Sequence, residues 1–400
     1  MRTVWKISER LESIVWAVAQ PTLHTYCEST SALLAAVEDR SRRYTSEREA
    51  LDRPSNAQAD LAARALFFTI ADAGKIQLPL AELIAAQRLD GSDAAPLRIL
   101  DLGAGCGAMS LGLLDAWARC SYVRALHVTL IERDAAALAL ASAALSQAGR
   151  ELGVAVTVDT VRSDLTAGTW MRGLVPFDLI VAGTVLNELA EVQQLGLVSA
   201  AMQLVAASGH MIIIEPALRE TSRALHRLRD ALLDRGAVRV VAPCVRAGAP
   251  CPALAQDNDW CHEERLATLP PRAAEIARLT HLRDAGLKFA YLTLARSDAA
   301  TLPAATAGQK FRIVRQPRGL KGREELLGCG DAGWVPLRLL RRNRNQNNQV
   351  VQATHRGDVL VIERAPLAAD QAQAGAMFDI QADDRVVLLA AALPSTVEET

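Results

Sequence analysis

The sequence predicts an α/β protein: a Rossmann-like parallel sheet entered through a helical region and followed by a small β domain. Three observations predict it. From Leu97 onward, short apolar runs (RILDL, LHVTLIE, FDLIVAG, GHMIIIEPA) alternate with helical stretches, the pattern of a parallel sheet covered on both faces. Before that point, apolar residues recur at three- and four-residue spacing, as in Leu11-Ile14-Val15-Val18 and Leu61-Ala62-Leu66-Phe67-Ile70, which is helical periodicity. Beyond Lys310 the segments FRIVRQ, WVPLRLL, QVVQAT and DVLVIE are short, β-like and broken by Gly, Asn and Pro, the spacing of a small barrel or sandwich.

Taken in order, residues 1–90 read as the helical region, with SRRYTSEREALDRPSNAQ as a polar connection. Residues 91–300 read as the sheet domain, including a Pro/Gly/Cys-rich loop at 243–263, a helix from Pro271 to Leu282 and the strand LKFAYLTLAR. That last strand alternates well enough to pair at the sheet edge. Residues 308–400 read as the β domain and include one more apolar run, VVLLAAAL.

The 400 residues are half hydrophobic and 22% charged, the balance of a globular chain with a sizeable core. Lys+Arg 44 against Asp+Glu 45 leaves a net charge of −1, so no global basic field attracts nucleic acid. DNA is not an expected partner, and RNA contact requires a local patch. No apolar run is long enough to span a bilayer, and no membrane partner is expected. The N-terminus, with Glu9 and Glu12 among its apolar positions, lacks the unbroken core of a secretory signal. Seven cysteines, an odd number, argue against a disulfide framework. A cytoplasmic location follows as the expectation.

The chemistry starts at Asp101-Leu-Gly103-Ala-Gly105-Cys-Gly107, directly after a strand and opening a helix. Glycines let the backbone turn sharply and approach a ligand closely, and the following helix offers free N–H groups. A glycine triplet alone also serves dinucleotide enzymes. Here, however, the acid precedes the glycines. Glu132 ends the second strand, where a carboxylate can accept both hydroxyls of a ribose. Asp164 follows the third, where an acid commonly reads an adenine amino group, although an acid at a strand end is also a common helix cap. The order strand–loop–helix, strand–acid, strand–acid resembles that of class I S-adenosylmethionine (AdoMet)-dependent methyltransferases. A sulfonium cation without phosphate favours acidic pocket residues. After the fourth strand, Asn187 in VLNEL is the candidate for cofactor or catalytic work; its plainer role is to cap the next helix.

Cys244, Cys251, Cys261 and Cys329 are the unusual feature. They sit beside Pro243, Pro252, Gly248, Gly328 and Gly330 rather than in periodic apolar segments, and ordering so long a loop costs roughly 1–2 kcal/mol per residue. Four thiolates around one centre would offset that cost. Paired C-x₂₋₄-C spacing, usual for zinc, is absent; irregular spacing suits an iron–sulfur cluster at least as well. Iron–sulfur, zinc and no metal at all remain open on spacing.

Taken together, DLGAGCGAMSLGL, VLNEL, IEPALRETSRALHRLRD, APC…APCP…DWCHEERL, KFAYLTLAR and RGDVLVIE resemble the methyltransferase-like proteins of the small ribosomal subunit: mitochondrial ribosome assembly factors and their bacterial homologues. The resemblance spans roughly residues 60–365. It implies a methyltransferase domain, a 4Fe-4S cluster on Cys244, Cys251, Cys261 and Cys329, a C-terminal β domain, and association with small-subunit ribosomal RNA. Val245 and Arg246 stand where that family commonly has Pro-His, and Glu263 replaces an aromatic; no ligand is lost. For RNA, Arg338, Arg341, Arg342 and Arg344 cluster in the β domain, with Arg312, Arg315, Arg318, Lys321 and Arg323 upstream. Methyl transfer to that RNA, a non-catalytic assembly role and small-molecule methylation are the three functions the sequence admits.

Overall fold

The computed structural model describes residues 4–45, 54–86, 88–89, 95–120, 125–246, 248, 250–283, 286–299, 308–364 and 372–389.

The helical region opens with Glu9–Glu28, where Ser8 accepts from the Leu11 N–H and fixes the start. Thr30–Thr45 follows, so the first five residues of the expected connection 41–58 are helical; residues 46–53 lie outside the described set. Ala57–Ala63 then runs into a π-helix, Arg64–Phe68, and Gln77–Ala85 completes the region. Leu11, Ile14 and Ile70 pack into the same core as the sheet residues Leu97, Ile99 and Val128. Glu12 binds the first turn of helix Pro271–Thr280, accepting from the N–H groups of Arg272 and Ala273 at 3.1 and 2.7 Å. Negative charge at a helix N-terminus is favourable, so this tie holds the helical region on the sheet domain.

The central sheet runs in the order Val156–Arg162, Leu126–Glu132, Leu97–Leu102, Phe177–Gly183, Val205–Pro216, Leu287–Arg296, Val238–Ala242. Its first five strands are parallel. Leu287–Arg296 is antiparallel to both neighbours and also carries Glu263–Arg265. It therefore lies inside the sheet rather than at the expected edge. Nearly every residue along it is buried on both faces, and burial on both faces, not alternation, marks an interior strand. The sheet is Rossmann-like, with the strand order of class I methyltransferases. The direction of travel reverses between Leu97–Leu102 and Phe177–Gly183, and open α/β sheets bind ligands beyond the strand ends at such a switch point.

The C-terminal part forms one seven-stranded sheet ordered Phe378–Ile380, Gly333–Leu340, Arg323–Gly330, Gln309–Ile313, Val359–Glu363, Arg385–Leu389, with Arg318–Leu320 paired to Arg323–Gly330. Among the described residues this is an open path rather than the closed ring of a barrel. One face of Gly333–Leu340 is buried in strict alternation around Phe311, Ile313, Leu360 and Ile380. QVVQAT is not a strand: Gln349–Ala353 is a short 3-10 turn, begun by Asn348, whose amide donates to the carbonyls of Asn343 and Gln381. No described helix is long and apolar enough to cross a membrane.

Candidate functional site

A cavity of about 820 Å³ opens at the switch point, lined by the segments that leave the first four parallel strands and by the helical region. Asp101, Gly103, Gly105, Glu132 and Asp164 all line it; Gly107 caps the helix Ala108–Arg119 just behind. Five of the sequence-selected residues therefore meet on one cavity.

The loop conformation demands its glycines. Gly103 has φ +66°, a left-handed backbone that costs other residues roughly 1–2 kcal/mol. A Cβ there would also stand 2.5 Å from Cγ2 of Val185. Gly105 and Gly107 have positive φ as well. Asp101 is buried beneath the loop and accepts from the Ser110 hydroxyl at 2.6 Å. Burial pushes its carboxyl up to about 6, against the pull of that hydrogen bond.

Glu132 ties two segments together. One carboxylate oxygen accepts from the Gly105 N–H and the other from the Asp134 N–H, both at 2.9 Å. Asp164 caps the turn Leu165–Ala167, accepting from the Thr166 N–H and hydroxyl at 2.8 and 2.7 Å. Those two bonds hold its carboxyl below the usual range. Asp164 thus serves as a cap and still lines the cavity.

Asn187 is not brought to this cavity. It sits in the turn Leu186–Glu188 and lines a separate cavity of about 410 Å³. Its amide nitrogen donates to the Thr184 carbonyl at 2.9 Å and to Glu215 at 3.2 Å. It is not the cap of the next helix either: Glu191–Gln203 starts at Ala190. The residue that organises this turn is Glu215, which sequence reasoning passed over. It accepts from the N–H groups of Leu186 and Asn187 at 2.8 and 3.3 Å. Burial pushes its carboxyl up to about 8, although both N–H groups pull it down. The signal was available, since Glu215 ends an apolar strand just as Glu132 does.

The helical region supplies the cavity's other wall, also missed in sequence. Arg64 and Phe68, on the π-helix, face it together with Arg40, Tyr44, Asp72 and Arg283. π-helical turns recur at functional sites, but nothing in the sequence announces one. Arg64 pairs with Asp134 at 2.7 Å, Arg40 with Asp60 at 2.8 Å and Arg283 with Asp72 at 2.9 Å. In all, seven carboxylates and four guanidinium groups line the cavity, an excess of negative charge.

The four cysteines come from the loop between Val238–Ala242 and Glu263–Arg265 and from strand Arg323–Gly330. They are close enough to act on one another. Burial and then Cys329, Cys244 and Cys251 raise the Cys261 thiol well above its ordinary value. Burial, followed by Cys244 and Cys251, pushes Cys329 up to about 12. Yet among the described residues no three or more His, Cys, Asp or Glu side chains form a group able to hold a metal ion. Among the described residues the expected metal centre is therefore not seen as an ion site, although the four thiols are neighbours.

The family model for mitochondrial small ribosomal subunit Rsm22 matches residues 23–358. The chain belongs to the Rsm22 family. No curated protein matches it in sequence. Among solved structures it is similar to a magnesium protoporphyrin IX methyltransferase from Synechocystis PCC 6803 with bound SAM, at 12% identity over 64% of this chain and 94% of that one, with a TM-score of 0.33. It is also similar to a putative class I S-adenosylmethionine-dependent methyltransferase from Listeria monocytogenes (10% identity, 75% and 92% covered, TM-score 0.35). A third is a SAM-dependent methyltransferase from Leishmania major (20% identity, 52% and 73% covered, TM-score 0.31).

The arginines near the C-terminal sheet differ in their surroundings. Arg312 is buried and committed to the Pro243 carbonyl and to Glu82, so it is out of reach of an RNA backbone. Arg323, Arg338 and Arg344 pair with Glu325, Asp379 and Glu324 at 2.6, 2.6 and 2.8 Å. Arg315, Arg318, Lys321, Arg341 and Arg342 are exposed.

Proposed function

We propose that this Rsm22-family chain is an AdoMet-dependent methyltransferase, or methyltransferase-like factor, that acts on or binds the RNA of the small ribosomal subunit. The observation that carries the reading is the meeting of Asp101, the glycine loop, Glu132 and Asp164 on one acid-rich cavity. AdoMet fits these residues. Glu132 keeps lone pairs free for ribose hydroxyls, because each oxygen has accepted only one N–H. Asp164, which lines the same cavity, would read the adenine amino group, and the loop backbone 103–107 would take the methionine portion. The excess of carboxylates suits a cation better than a dinucleotide's phosphates. When bound, AdoMet supplies a methyl group on an electrophilic sulfonium.

Asn187 favours a second reading, that of a non-catalytic assembly factor. Its amide is engaged with the Thr184 carbonyl and Glu215, and it lines the smaller neighbouring cavity rather than the larger one. Titration calorimetry with AdoMet, followed by a methyl-transfer assay on immature small subunits, separates the readings. Binding with turnover on RNA supports the first, and binding without turnover supports the second. Turnover on a metabolite alone supports a small-molecule methyltransferase. Absence of AdoMet binding removes the whole proposal.

The reading extends to a 4Fe-4S cluster on Cys244, Cys251, Cys261 and Cys329, with zinc as the alternative. Its support is the mutual influence of the four thiols across two elements distant in sequence. A cubane is wider than one ion and keeps its ligands farther apart. Iron, sulfide and zinc analysis of anaerobically purified protein decides; stoichiometric zinc in a colourless protein removes the cluster. A cytoplasmic location belongs to the same reading, supported by seven cysteines that are all free.

A further inference from the structure

The hairpin that carries Cys329 has two unlike ends. At one end Cys329 pairs in register with Trp334, and a Cβ on Gly333 would lie 3.6 Å from Pro252 of the cysteine loop. That end is anchored to the rest of the molecule. The other end begins six residues away at Arg323, about 20 Å distant at ~3.4 Å per residue. There the short strand Arg318–Leu320 lies beside Arg323, which lies beside Leu340. The Arg341 N–H donates to the Gly322 carbonyl at 2.8 Å. This bond brings the turn at Lys321 next to Arg341 and Arg342.

Arg318, Lys321, Arg341 and Arg342 are all exposed, and among the described residues none has an ion-pair partner, unlike Arg323, Arg338 and Arg344. Residues 318–344 hold seven Arg or Lys against three Asp or Glu, in a chain whose net charge is −1. The basic charge is concentrated at this distal end. Leu320, 42% exposed, is the large apolar side chain beside it. Protein interfaces are centred on aromatic and apolar side chains, whereas nucleic-acid backbones need only placed cations.

We propose that the hairpin end formed by Arg318, Lys321, Arg341 and Arg342 is a phosphate-contacting surface that seats on the sugar–phosphate backbone of folded RNA. This rests on the reading of the chain as a small-subunit RNA factor and names the surface that reading lacks. Contacts of this kind position the protein without reading sequence. The free cations stand at the far end of a rigid hairpin whose near end is fixed to the methyltransferase domain. The hairpin would thereby set the distance between the RNA backbone and the cavity.

The test is binding of the full chain to a fluorescent RNA stem-loop over a salt series, with polyglutamate as competitor. The variant R318Q/K321Q/R341Q/R342Q is compared with wild type and with R323Q/R338Q/R344Q, whose arginines are already paired. Thermal melts and AdoMet titration establish that each variant folds. The proposal expects the first variant to lose affinity at least tenfold at moderate salt. Its plot of log K against log salt should be shallower by roughly 0.7–0.9 for each phosphate contact removed. The second variant should change little. Wild-type slope and affinity in the first variant overturn the proposal while leaving the RNA reading intact. Failure of the wild type itself to bind RNA removes both. Displacement by polyglutamate at equal charge concentration would reassign the surface to an acidic protein and overturn the proposal as stated.

Discussion

Arg312 of the β domain and Glu82 of the helical region form an ion pair of 2.6 Å, with 7% and 15% of their side chains exposed. The same guanidinium donates to the carbonyls of Pro243 and Gly357 at 2.9 and 2.6 Å and stands 3.5 Å from Glu263. The Tyr291 hydroxyl donates to Glu82 as well. Arg312 also faces Cys329 across the strand pair, and Pro243 precedes Cys244. One buried cation therefore joins three parts of the chain beside the cysteines, independently of any metal.

Removing that cation should be severe. Arg312→Leu leaves Glu82 buried with only the Tyr291 hydroxyl, while Glu263 keeps Arg265 at 3.1 Å; losing the cation from a buried pair costs about 3–5 kcal/mol. Arg312→Leu combined with Glu82→Leu should recover much of it, because no unpaired charge remains at Glu82. Denaturant unfolding of the two variants measures the difference. Equal losses in single and double variants would show that the pair is not what holds the site.

If a cluster occupies the cysteines, Cys329→Ala should abolish bound iron and sulfide and speed proteolytic release of the β domain. AdoMet affinity should stay unchanged, since Cys329 does not line the cavity. Metal analysis, limited proteolysis and calorimetry on one preparation read all three.

Glu215 predicts a pH dependence. Its folded-state carboxyl is raised to about 8 from 4.5, so the native state holds a proton that the unfolded chain releases earlier. The contribution is complete below about pH 4.5 and fades as pH rises towards 8. Glu215→Gln should flatten this part of the profile, so its stability should fall less than that of wild type between pH 5 and 8. Urea unfolding across that range measures it; parallel profiles would place the ionised form in the native protein.

The parallel strands, the glycine loop, Glu132 and Asp164 were legible because each rests on local pattern: an apolar run, a turn that only glycine makes, an acid at a strand end. Other features depend on long-range packing. Leu287–Arg296 alternates like an edge strand, yet Val205–Pro216 and Val238–Ala242 pair with both of its edges. Arg312 sits in a run of arginines indistinguishable by spacing from Arg315 and Arg318, and only the approach of Glu82, some 230 residues away, buries it. The cavity wall of Arg40, Tyr44, Arg64 and Phe68 was hidden for the same reason. The surroundings of Asn187 were not legible because its partner, Glu215, lies on a strand 28 residues further on.

Substitutions at Gly103, Gly105 and Glu132 probe the cavity's shape and charge in turn. Gly103→Ala places a Cβ 2.5 Å from Val185 in a left-handed backbone and should lower both stability and AdoMet binding. Gly105→Ala, whose Cβ would meet only Arg64 at 3.8 Å, should cost less, about the 1–2 kcal/mol of its left-handed backbone. Glu132→Gln keeps the size and one acceptor oxygen but removes the charge. A hydrogen bond to a charged group contributes about 1.5–3 kcal/mol, so AdoMet should bind roughly 10- to 150-fold more weakly. S-adenosylhomocysteine should weaken by a similar factor, because Glu132 is assigned to the ribose that both share. Calorimetry with the two ligands checks this. A loss confined to AdoMet would move Glu132 from the ribose to the sulfonium, and no loss for either ligand would remove it from the cofactor site.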